Sequence, residues 1–310
     1  MGITVPLKGK LMRSGSESNR HSEIARRTRA IQSGNILSKK KVIAAHERYI
    51  RERQARWKER ITLQRAVHKL QREAAAALLK DNPSLRSASE AVRKLMRRNP
   101  KNKITYPSCP AVQPRISAGS ILTVLTPPYW NIWVSAAPPD STGSANSNAG
   151  TFGSSATGDG SWNTGYGGIA GAYWPISDSP MGHFRPYIRF DYSWLDTSNL
   201  DTAHTDGYIH AAVYDFNSSG NLSVWPPAEQ TVTVWQDGTG WVDAHTGNDS
   251  GVWAGVIDVA FPLTPGHAYA LWMWSEAHAD DGGLNWPAWS LAEAAIGATC
   301  PFLVVEESQT

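Results

Sequence analysis

Two stretches of alternating sequence gather side chains capable of chemistry on one face of a strand. In residues 267–278 the even positions Trp272, Trp274, Glu276 and His278 share a face, and Tyr269, Leu271, Met273 and Ala277 take the other. Adjacent indoles beside an acid and an imidazole make a stacking platform with polar anchors. Carbohydrate is the ligand class that such a surface suits. In residues 184–194, Phe184, Ile188, Phe190, Tyr192 and Trp194 suit a core, while Arg185, Tyr187, Arg189 and Asp191 face away. Two guanidinium forks around a tyrosine suit a carboxylate, a phosphate or a sugar hydroxyl. Each reading has a plain counterpart: the arginines pair with neighbouring acids, and another segment or chain covers the tryptophans.

Other chemistry is thin. Asp280 and Asp281, ahead of Gly282-Gly283, are a weak calcium candidate, since acidic turns are more often simply solvated. Nine histidines include no His-Glu-x-x-His pair, and no phosphate loop, dinucleotide fingerprint or nucleophile elbow occurs. Glu276 with Asp258 is the one imaginable glycosidase pair, and nothing in their spacing demands it. The sequence therefore assigns no catalytic residue and no cofactor, and enzyme is the least favoured class. Cys109 and Cys300 sit near the two ends of the Trp-rich part, where a disulfide would close the domain; two free thiols are the equal alternative.

The elements that must carry these residues separate by charge. The first 103 residues hold 27 Lys and Arg against 8 Asp and Glu, whereas residues from Ile104 onward hold three arginines against 19 acids. The whole-chain net charge of +3 hides a strongly basic body joined to a strongly acidic one. Of the 14 tryptophans, only Trp57 lies in the basic part.

Residues 39–80 lack Gly and Pro and carry apolar residues at close to helical spacing, which predicts one long helix. Its stripe is narrow and ringed by cations, so it needs a partner to be stable. Lys39, Lys40, Lys41, Arg48, Arg51, Arg53, Arg56, Lys58 and Arg60 are the candidate contacts to a polyanion or an acidic protein surface. The acidic domain of the same molecule is one such surface.

The expected organisation is a basic leader over 1–36, the long helix and a short one over 37–100, a Pro-containing linker over 101–119, and an acidic β-sandwich over 120–310. The sandwich is expected to be antiparallel and jelly-roll-like, with turns at Asp206-Gly207, Gly220-Asn221, Asp237-Gly238 and Pro265-Gly266 and a long insertion loop over residues 138–168. No signal peptide and no membrane-spanning run is visible. The leading functional expectation is a non-enzymatic assembly or binding protein, a homo-oligomer or part of a larger complex, anchored by its arm. The alternatives are a carbohydrate-binding module or lectin, a shell protein with its arm on nucleic acid (an architecture shared with many viral coat proteins), and cargo of a secretion or injection machine.

Overall fold

The computed structural model describes residues 37–80, 82–84, 87, 120–135, 140–158, 160, 162–254, 256–281 and 289–308. The expected leader, most of the expected short helix, the linker and Cys109 lie outside those residues.

Helix α1 runs over Lys39–Lys80, as its composition predicts. Ten strands follow: β1 (Ile121–Leu125), β2 (Asn131–Val134), β3 (Ser141–Asn146), β4 (Thr151–Thr157), β5 (Trp162–Tyr173), β6 (Met181–Phe216), β7 (Ala228–Ala254), β8 (Val259–Pro262), β9 (Ala268–Asp281) and β10 (Trp289–Ser308). Every pairing is antiparallel.

The fold is a β-sandwich whose two sheets share β6. Residues 203–216 of β6 pair with β9, which continues to β5 and β2; residues 181–199 pair with β10, which continues to β4 and β3. Between the halves lies a bulge at Asn199/Asp201 in the pairing with β7. One extra residue reverses the alternation of side chains. Inward positions are therefore even before it (Phe184, Ile188, Phe190) and odd after it (Ala203, Ile209, Val213). The two halves together enclose one core with Leu271, Met273, Ile296 and Val305.

Two expectations are corrected. The expected loop over 138–168 is not one: its described residues from 140 onward include β3, β4 and the start of β5. Their Gly, Ser, Ala and Thr side chains let two backbones nearly touch. A Cβ on Gly167 would stand 2.2 Å from the Gly153 carbonyl oxygen, and one on Gly143 1.9 Å from that of Tyr166. Small residues here mark close sheet approach rather than a turn. Asp206-Gly207 and Asp237-Gly238 also lie inside strands, with Gly207 at a bulge against the Trp235 ring. The turns at Gly220-Asn221 and Pro265-Gly266 stand, with φ of +69° and +80° at their glycines. No helix among the described residues is long and apolar enough to cross a membrane.

Candidate functional site

The outer face of the β2-β5-β9-β6 sheet is ordered in rows by register. Ala170, Trp272 and Ala212 lie abreast; then Gly168, Trp274 and His210; then Tyr166, Glu276 and Tyr208; then Thr164, His278 and Asp206; then Trp162, Asp280 and His204. Aromatic rows thus grade into polar ones along a single groove floor. Glycine at 168 is what admits the neighbouring indole, since a Cβ there would come within 2.7 Å of Trp274 Cβ.

The first half of α1 fills this groove. Val42, Ala45, His46, Tyr49 and Ile50, with Leu37 just ahead of the helix, are buried in one cluster with Trp133, Tyr166, Tyr214, Trp272 and Trp274. Fully burying an aliphatic or aromatic side chain contributes about 1.5–3 kcal/mol, so burial rather than charge holds the helix. His46 is the central anchor. Its ring lies flat on Trp272, meets Trp133 and Trp274 edge-on, and its Nδ1 stands 3.0 Å from the Tyr214 hydroxyl. Burial pushes its pKa down to about 3, so the imidazole is neutral.

Two turns further along, Arg53 reaches a buried acid. Glu276 Oε2 stands 3.4 Å from Arg53 Nε and 2.7 Å from His210 Nε2, and Oε1 stands 2.6 Å from His278 Nε2. Burial alone would raise the Glu276 pKa; the contacts with His278 and His210 outweigh it and hold the group well below the usual range. His210, stacked on Trp274, is pushed down to about 4 by burial. Trp162 Nε1 donates to Thr164 Oγ1, which stands 2.7 Å from His278 Nδ1.

Sequence pattern grouped Trp272, Trp274, Glu276 and His278 on one face, and the structure brings them together there, beneath the chain's own helix. Arg185, Tyr187 and Arg189 do not converge on a site. Arg185 pairs with Asp258 at 2.9 Å and with the buried Glu306, while Tyr187 stacks on Phe302. Arg189 is half-buried, with no hydrogen-bond partner for Nε among the described residues. Asp280 and Asp281 are buried in β9, and Asp281 accepts from the Gly160 and Ala292 amides. Cys300 is a buried free thiol beside the Tyr129 hydroxyl.

Among the arm's cations, Lys39 lies over Trp130, Lys41 holds Gly220 O and Asn221, and Arg48 holds Glu52 and caps Trp225. Arg51 lies 3.9 Å from Glu47, and Lys40 and Arg56 are exposed. The side chains of Lys58 and Arg60 lie outside the described residues. Sequence reading passed over His46, Tyr166, His210 and Tyr214, and took Tyr49 only as a stacking residue of the arm. The signal that sets His46 and Tyr49 on one helix face was present: Val42, His46, Tyr49, Ile50 and Arg53 recur at spacings of three and four.

No family model matches the chain, and no curated protein matches it. Among solved structures, it is similar to that of the infectious bursal disease virus Gx strain, at 10% identity over 66% of this chain and 43% of that one, with a TM-score of 0.20. It is also similar to a VP2 subviral particle of that virus, at 12% identity over 66% and 42% with a TM-score of 0.18. A third is TmCBM61 in complex with β-1,4-galactotriose, at 8% identity over 60% and 88% with a TM-score of 0.17. The chain spans about two fifths of the length of the viral chains. Likenesses this weak carry no argument about what the chain does.

Proposed function

We propose that this is a non-enzymatic assembly protein in which an aromatic groove on the sandwich is filled by α1, supplied by a neighbouring copy. One observation carries the reading: groove and helix are each incomplete alone. Without α1 the sheet would expose Trp133, Trp272 and Trp274 as an apolar patch of the kind that marks an interaction site. Without the groove α1 is a thinly apolar, highly basic helix. Residues 81–119 separate the two partners in sequence and span at most roughly 130 Å. That reach lets the same contacts form within a chain or between chains, the arrangement by which identical elements are exchanged in oligomers.

Arg48 and Arg53 are spent on the docked surface. The stretch 58–80, with six Lys and Arg against two Glu, is the part offered to an acidic partner or nucleic acid. Light scattering on the full-length protein across concentration tests this. Exchange predicts a mass that is a multiple of 33.9 kDa and falls to one chain in Tyr49→Asp. A single-chain mass at every concentration for the unaltered protein would overturn the reading, and the 260/280 absorbance ratio reports bound nucleic acid.

A further inference from the structure

Where the groove runs out, α1 leaves an open cleft of about 380 Å³ lined by Trp57, Trp162, His204, Asp206, Gln236, Asp237 and Gly238. Its size falls in the roughly 300–1,000 Å³ range of small-molecule sites. Four separate elements build it: α1, β5, β6 and β7. The Trp57 and Trp162 rings stack on one another, 6.2 Å apart with planes 27° from parallel, and this indole pair lines one side of the cleft. The other side is made of acceptors. Asp206 is 98% buried, receives His204 through Oδ2, and has no hydrogen-bond partner for Oδ1 among the described residues. Asp237 is held by His245 at 2.9 Å through Oδ2. The Gln236 amide nitrogen donates to the Tyr208 hydroxyl, leaving its carbonyl as a further acceptor.

We propose that this cleft binds a short neutral saccharide. An amphipathic ring lays its C–H face on indole while its edge presents hydroxyl donors, which is what a wall of tryptophan opposite two carboxylates and an amide carbonyl requires. The same carboxylates repel phosphorylated and uronic ligands. Trp57 belongs to the arm, so the saccharide site is complete only with α1 docked, and ligand and arm stabilise each other's binding. This holds whether the arm is a chain's own or a neighbour's, and so does not depend on the assembly reading.

The experiment uses full-length protein on an array of neutral oligosaccharides, followed by tryptophan-fluorescence titration with the bound sugars and, in parallel, with tetramethylammonium. Binding of at least one neutral sugar is expected. Its affinity should fall about 10-fold or more in Trp162→Ala and in Asp237→Asn, each checked for an unchanged Tm. Trp57→Ala should lose the same sugar, and the ligand should slow hydrogen exchange in α1. No array binding, binding that survives both Trp162→Ala and Asp237→Asn, or a tighter response to tetramethylammonium than to any sugar would each overturn the proposal.

Discussion

His46 of the helix lies flat against Trp272 of the sheet, with ring centroids 4.4 Å apart and planes 8° from parallel. The contact places a titratable group at the centre of a helix-to-sheet interface, in a box of three indoles and a phenol.

That placement makes docking sensitive to acid. Unfolded histidines titrate near 6.5, while His46 and His210 are pushed down to about 3 and about 4 in the folded protein. Below pH 6.5 the unfolded chain binds more protons, so the stability these groups contribute is full above 6.5 and drains as pH falls toward 4 and then 3. Thermal melts from pH 7.5 to 4 should show a steady drop in Tm. His46→Phe should flatten part of that slope, and a slope unchanged in the variant would separate His46 from the effect.

Glu276→Gln should cost about 3–5 kcal/mol, the usual consequence of leaving a buried ion partner uncompensated. Arg53 is the stranded cation, and it lies on α1, so the loss should appear first as faster hydrogen exchange in residues 42–57. A denaturation cycle with Arg53→Met should give a coupling energy on the order of 1 kcal/mol or more. Additive costs would show that the two residues do not act together.

Gly207→Ala should destabilise by about 1–3 kcal/mol through overpacking. The new methyl would come within 1.8 Å of the Trp235 ring, which fills the space that a side chain would take. Urea titration checks the cost, and near-ultraviolet circular dichroism should report the displaced indole.

Cys300 should be inert to thiol reagents in the native state. Its thiol is fully buried, and burial pushes its pKa up to about 12. In a Cys109→Ser background, a disulfide-exchange reagent should label Cys300 only as fast as the protein unfolds. Rapid labelling under native conditions would place the thiol at the surface.

How much of this was legible depends on what covers each face. Alternation in 267–278 correctly set Trp272, Trp274, Glu276 and His278 together, because period two needs only local geometry. Alternation cannot say what lies over the second face, and here it is a helix more than two hundred residues away in sequence. The helix itself was legible to its ends, as nothing in it interrupts the backbone. Residues 138–168 were misread because Gly and Ser signal turns in isolation but close sheet contact when a second backbone lies opposite. The partners of Arg185 follow the ordinary rule that guanidinium groups find nearby carboxylates.

Strand β6 is a member of both sheets, with β9 along one half of its edge and β10 along the other. Neither sheet therefore has a boundary of its own at which the molecule can be divided. A single cut in the backbone near Leu200 would part the segment of β6 that pairs with β9 from the segment that pairs with β10, leaving two pieces that each carry half of a shared strand. The sandwich is for that reason one cooperative unit, and it is a unit whose halves can be rejoined only by bringing β6 back into line.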